Sequence, residues 1–83
     1  MKLLYFAWVR QRIGKAEENL ERPSEVTTIA ELAAYLHSRG EGYAKAFADP
    51  VRLRAARNQE HASFDAPVSD EDEIAFFPPV TGG

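Results

Sequence analysis

The chain contains no cysteine. That absence removes disulfides, thiolate metal ligands and side-chain thiol nucleophiles from consideration. Histidine is nearly as scarce: His37 and His61 are the only two, and they fall on different predicted elements. A surface or partner-facing role therefore outweighs catalysis for both. No apolar run approaches the ~18 residues of a membrane span. No Gly-rich phosphate loop, metal-ligand spacing or nucleophile motif appears. The ten Lys and Arg are scattered among thirteen Asp and Glu, for a formal charge of −3, so the basic stripe of a nucleic-acid binder is missing. An acidic body of this kind suits a partner with a basic surface. The chain alone is not expected to be a catalyst, a metal protein, a nucleic-acid binder or a membrane protein.

What is present is ordinary globular material, 45% hydrophobic and 28% charged over 83 residues, enough for one small domain. The apolar run Leu3 to Val9 resembles a signal peptide, but Arg10 and Arg12 follow it in place of a small-residue cleavage site. It predicts a buried first strand and a cytoplasmic protein. Strand alternation places Leu3, Tyr5 and Ala7 on one side and Leu4, Phe6 and Trp8 on the other. Ile13-Gly14-Lys15 is a turn, and Glu17 to Arg22 reads as an edge strand stopped by Pro23. Thr28 and Glu31 form a capping box, followed by Ile29, Leu32, Ala33 and Leu36 on one helix face, with the helix ending near Arg39 and Gly40. Gly42 to Asp49 is a loop or short helix anchored by Tyr43 and Phe47. Val51 to Asn58 predicts a strand, Asn58-Gln59 a turn, His61 to Phe64 a short strand, Ser69 to Asp72 a solvated acidic turn, and Glu73 to Phe77 the last strand.

The resulting order, β-β-α-β-β-β, predicts an α+β fold: a mixed sheet with one main helix packed across it, as in the ubiquitin-like β-grasp. The first and last strands, the most apolar, then lie side by side in parallel at the sheet centre. One helix covers only one sheet face, so aromatic surface is left on the other for a partner. Phe6 and Phe77, with His61 beside them, are the candidate partner-binding residues. After the domain of residues 1–77 comes an extended, flexible tail of residues 78–83: Pro78, Pro79, Val80, Thr81, Gly82 and Gly83. The prolines hold the chain near polyproline II geometry, and the two glycines carry no side chain to obstruct a narrow channel. Six extended residues reach roughly 20 Å, enough to deliver a terminal carboxylate into a partner's active site.

Over its full length the chain resembles the small subunits of molybdopterin synthase, the sulfur carriers of molybdenum cofactor biosynthesis. The resemblance rests on Leu3-Leu4-Tyr5-Phe6-Ala7 with Val9-Arg10, on Ala55-Ala56-Arg57-Asn58-Gln59, on Ser63-Phe64-Asp65 with Pro67, and on Asp70 and Asp72 through Gly83. It implies that the Gly83 carboxylate is adenylated by an ATP-using enzyme similar to ubiquitin E1, then converted to a thiocarboxylate by a sulfur donor system. The loaded tail enters the large subunit, which holds the catalytic residues, and donates sulfur to cyclic pyranopterin monophosphate to form the molybdopterin dithiolene. No bound cofactor is implied, and two small and two large subunits form a heterotetramer. Sulfur carriage for another pathway, such as thiamine thiazole or tungsten cofactor synthesis, and ubiquitin-like protein modification are the alternatives. The chain departs from the family pattern at Glu71, where a glycine is usual, and at Arg57 and His61, which replace apolar residues. If the turn at Glu71 needs φ > 0, the substitution costs roughly 1 kcal/mol or more.

Overall fold

The computed structural model describes residues 1–79. Its strands are β1 (Lys2–Tyr5), β2 (Glu17–Asn19), β3 (Arg54–Arg57), β4 (Glu60–Ala62) and β5 (Glu73–Phe77). The helices are α1 (Ala7–Ile13), α2 (Ile29–His37) and α3 (Glu41–Ala46), with a 3₁₀ turn at Pro50–Arg52. The strands form one sheet in the order β2-β1-β5-β3-β4. As expected for a β-grasp, β1 and β5 pair in parallel, while β2, β3 and β4 join by antiparallel ladders.

The sheet's side chains divide by alternation. Leu3 and Tyr5, Ile74 and Phe76, and Ala55 are buried on the face covered by α2, where Ile29, Leu32 and Leu36 meet them. Each fully buried aliphatic side chain contributes ~1.5–3 kcal/mol relative to exposure. The Phe76 ring meets Phe47 edge-on at 5.0 Å and Phe64 at 6.4 Å between centroids. Helix α2 begins as the sequence predicts. The Glu31 N–H donates to Thr28 Oγ1 at 3.2 Å, and Glu31 Oε1 accepts from the Thr28 N–H at 3.2 Å. Such a cap is worth about 1 kcal/mol.

Several expected boundaries move. The first strand stops at Tyr5; Ala7 takes φ 52°, and the chain turns into α1. Trp8 therefore belongs to a helix, half-buried against the core with the Arg12 guanidinium 4.4 Å above its ring, and is not part of a sheet face. The cause lies in the partners. Tyr5 N–H still donates to Ala16 O and Phe6 N–H to Phe76 O, but beyond them β1 has no ladder to join. Gly14 closes α1 at φ 90°, ψ 13°, with its N–H bonded to Arg10 O. Gly40 is not a left-handed cap of α2; it takes φ 157°, ψ 175° and precedes α3, while Ser38 ends α2. The strand expected from Val51 begins at Arg54, because Asp49 accepts from the Val51 N–H and starts the 3₁₀ turn at Pro50. Asn58 and Gln59, at φ 52° and 70°, make the β3–β4 turn as expected.

Glu71 does not adopt positive φ, so the strain anticipated there is absent. The turn is instead organised by Asp72, whose carboxylate accepts from Ser69 N–H, Asn58 Nδ2 and Arg57 Nε at 2.8, 3.0 and 3.1 Å. Burial favours the neutral acid, but these donors outweigh it and hold the Asp72 carboxyl below its ordinary pKa. Among the described residues no helix is long and apolar enough to cross a membrane, and no group of three or more His, Asp and Glu could hold a metal ion. Val80, Thr81, Gly82 and Gly83, the chemical end of the expected tail, lie outside the described residues.

Candidate partner interface

Cross-strand pairing fixes which side chains share the sheet face away from α2. Leu4 pairs with Ala75, Ala75 with Ala56, Ala56 with His61, and Phe77 with Arg54. Directly opposed residues share a face. This face therefore carries a strip of Leu4, Ala75 and Ala56, bounded by Phe77, His61 and Arg54. Leu4, Ala56, Ala75 and Phe77 are half-buried, with no helix over them, and His61 and Arg54 are exposed.

Of the three sequence-predicted partner residues, His61 and Phe77 meet here. The His61 and Phe77 rings lie 5.5 Å apart at an interplanar angle of 74°, an edge-to-face contact. Phe6 follows the Tyr5–Phe76 pair and is 49% exposed, one of two large hydrophobic residues so exposed among those described. The other, Val51 at 78%, lies in the 3₁₀ turn just before β3 and was not singled out by sequence reasoning. Its isolation between Pro50 and Arg52, outside any apolar pattern, was the available signal. Arg57, expected to alter the partner patch, pairs with Ile74 on the covered face and is committed to Asp72. Only His61 of the two substituted positions reaches the patch.

Because β1 and β5 are parallel, both finish at the same end of the sheet, and Pro78 and Pro79 continue from Phe77 at that end. The tail thus departs from a strand flanked on both sides, next to Phe6 and Val51.

The remaining polar clusters are structural. Glu18 Oε2 accepts from Tyr5 Oη at 2.7 Å and Tyr43 Oη at 2.6 Å, and Oε1 accepts from Arg39 Nη1 at 3.1 Å. Burial raises the Glu18 pKa, but the two phenols and the guanidinium outweigh it, and the net shift is downward. Tyr5 is driven far above its ordinary value, by burial first and by its bond to Glu18 second. The cluster ties β2, β1, α3 and the segment after α2 together at an edge. A cavity of about 340 Å³ on the helix side, between α2 and Phe47, Pro50 and Phe64, offers His37 as its sole titratable group. A lone His without a nucleophile or second acid/base group does not assemble a catalytic site. His37 and His61 lie on different elements, as the sequence predicts, and on opposite sides of the sheet.

A five-stranded mixed sheet crossed by one helix, with an open aromatic face leading into its last strand, defines a ubiquitin-like β-grasp protein. The chain belongs to the ThiS family, whose model matches residues 3–83. It is 41% identical over 83 residues to the molybdopterin synthase sulfur carrier subunit of Escherichia coli (strain K12), covering 100% of this chain and 99% of that protein. It is 36% identical, with the same coverage, to the subunit of that name from Haemophilus influenzae. Among solved structures it matches a proposed molybdopterin converting factor, subunit 1, from Pyrococcus furiosus at a TM-score of 0.76 and 31% identity, over 95% of each chain. SAMP1 from Haloferax volcanii shares the fold at a TM-score of 0.72 and 24% identity, over 100% of this chain and 98% of that one.

Proposed function

We propose that this chain is the sulfur carrier and small subunit of molybdopterin synthase, acting in the cytoplasm. The observation that carries the reading is the continuation of central strand β5 into Phe77-Pro78-Pro79 beside the open face of Phe77 and His61. Full-length likeness to two subunits of that name supports the choice of pathway.

The chemistry follows from the Gly83 carboxylate. A carboxylate resists attack because its oxygens are poor leaving groups. An E1-like activating enzyme removes that obstacle: a Gly83 oxygen attacks the α-phosphorus of ATP, pyrophosphate departs, and an acyl-adenylate forms. A sulfur donor system then supplies sulfide-level sulfur, which attacks the carbonyl carbon and displaces AMP, so that a C–S bond replaces the C–O bond to the adenylate and a thiocarboxylate remains. Glycine at both final positions leaves the carbonyl open to approach. The absence of cysteine leaves no internal thiol to intercept the activated terminus.

Docking of the open face on the large subunit then makes sulfur delivery effectively intramolecular. The thiocarboxylate sulfur is transferred to cyclic pyranopterin monophosphate, water supplies the oxygen that replaces it at the acyl carbon, and the Gly83 carboxylate is regenerated for another cycle. A dithiolene needs two sulfurs, hence two loaded tails in turn. Two small and two large subunits form the assembly, with the catalytic residues on the large one.

Reconstitution tests the reading. The thiocarboxylate form, mixed with the large subunit and cyclic pyranopterin monophosphate, is expected to yield molybdopterin, and the carboxylate form none. Equal product from both forms, or none from the loaded one, would contradict it. Recovery of the chain in isopeptide conjugates that survive denaturation and reduction would indicate a protein modifier instead.

A further inference from the structure

The charges of this acidic chain are segregated along the strand direction. Of its ten cations, Lys2, Lys15, Arg39, Lys45 and Arg57 form ion pairs among the described residues. Arg22 bonds the carbonyls of Pro23 and Val26. The other four, Arg10, Arg12, Arg52 and Arg54, have no carboxylate partner among the described residues, and all four are exposed.

These four gather at the tail-root end of the sheet. Arg54 is the register partner of Phe77, the last residue of β5. Arg52 ends the 3₁₀ turn that feeds β3. Arg10 lies one helical turn beyond Phe6, whose carbonyl accepts its N–H at 3.3 Å, and Phe6 N–H in turn reaches Phe76 O. Arg12 follows on the same helix, its guanidinium over the Trp8 ring and donating to the Lys45 carbonyl at 3.4 Å, so it adds charge without an ion-pair partner. Asp49, which accepts from the Val51 N–H ahead of the 3₁₀ turn, keeps its negative charge and offsets one of the four arginines, leaving this end net positive. The opposite end carries the excess acid: Glu60 at the β3–β4 turn, then Asp70, Glu71 and Glu73, none in an ion pair among the described residues.

We propose that Arg10, Arg12, Arg52 and Arg54 form a basic collar around the tail root. It orients the carrier tail-first onto proteins whose active-site mouth carries an acidic rim. The inference rests on the sulfur-carrier reading and names the chemistry of its partner. The formal charge of −3 points to a basic partner; the local field at the docking end has the opposite sign. A carrier that visits an activating enzyme, a sulfur donor and a large subunit must dissociate readily each time. Charge at the rim speeds encounter without deepening the bound state, whereas larger apolar anchors slow release. Phe6 and Val51, exposed within the same region, supply a small apolar contact inside the collar.

The test is the association rate with the large subunit, by stopped flow, at about 20 mM and about 0.5 M salt. Arg10→Glu/Arg52→Glu is expected to associate about tenfold or more slowly than wild type at low salt and to converge with it at high salt. Its dissociation rate should change less than about threefold. Arg52→Glu and Lys2→Glu alter net charge equally, but Lys2 lies at the far end, so Lys2→Glu should stay near the wild-type rate. Neither Arg10 nor Arg52 makes a side-chain hydrogen bond among the described residues, and unchanged thermal melts would verify that folding is intact. Equal slowing by Arg52→Glu and Lys2→Glu, or slowing that persists at high salt, would overturn the collar while leaving the carrier reading in place. Failure of the wild-type chain to bind the large subunit at all would overturn both.

Discussion

Phe77 serves two ends of the same strand: its backbone closes the ladder with Arg54, and its ring, half-buried beside His61, stays available on the open face. Phe77→Ala should weaken binding to the large subunit by roughly 1–3 kcal/mol, as expected of a buried interface anchor. Calorimetry showing an unchanged Kd would return Phe77 to the unengaged surface. Glu18 and Asp72 act on stability instead. Both carboxyls have folded-state pKa values below their ordinary ones, so protons bind the unfolded chain more readily. Their stabilisation is complete above the unfolded values, about 4.3 for Glu and 3.9 for Asp, and is lost as pH falls through the lower folded values. Thermal melts from neutral pH downward should show the loss. Glu18→Gln should flatten that acid dependence and cost about 1–3 kcal/mol at neutral pH, because the two tyrosine hydroxyls lose their charged acceptor. An acid limb as steep as that of wild type would exclude Glu18 as its source. The placement of Phe77 on the face opposite Phe76 was legible because successive strand residues point to opposite faces; the roles of Glu18 and Asp72 were not, since their donors come from distant segments.

At the level of elements, the reading succeeded wherever a local signal was sufficient. The α2 capping box, the turn at Asn58-Gln59 and the apolar β5 between the Ser69–Asp72 turn and Pro78 are each specified within a few residues. It failed at α1, where Leu3 to Val9 is apolar throughout and its strand-like composition continues past the last available ladder partner. The helical signal was nonetheless present: Trp8 with Arg12 and Val9 with Ile13 at i, i+4, and Gly14 at the end. Two glycines test how α1 is held. At Gly14 an added Cβ meets nothing within 4 Å, so Gly14→Ala costs the left-handed backbone alone, roughly 1 kcal/mol. At Gly42 an added Cβ would fall 2.4 Å from the Arg12 carbonyl oxygen, so α1 and α3 must separate. Gly42→Ala should therefore lower the melting temperature more than Gly14→Ala. It should also weaken partner binding by displacing the helix that follows Phe6. Equal melting temperatures for the two variants would mean that the α1–α3 contact yields without cost.

For the whole molecule, the β-grasp serves to place one chain end. The parallel β1–β5 pair fixes where the tail starts, the uncovered sheet face offers an anchor beside it, and α2 seals the other side. The parallel placement of the first and last strands was legible because they are the most apolar segments of the chain, as strands flanked on both sides require. The gathering of four arginines at one end was not, because they come from α1, the 3₁₀ turn and β3. If the tail acts through its terminal carboxylate, one residue added after Gly83 should abolish sulfur transfer with no change in melting temperature. Normal molybdopterin formation by that protein, its extra residue confirmed still attached, would show that the terminus is not the reacting group. The most direct measurement is intact mass spectrometry of the chain after incubation with ATP, the activating enzyme and a sulfur source. The account predicts a gain equal to exchange of one oxygen for sulfur, localised to Gly83. An unchanged mass, with the same enzyme shown to load a known carrier, would contradict it.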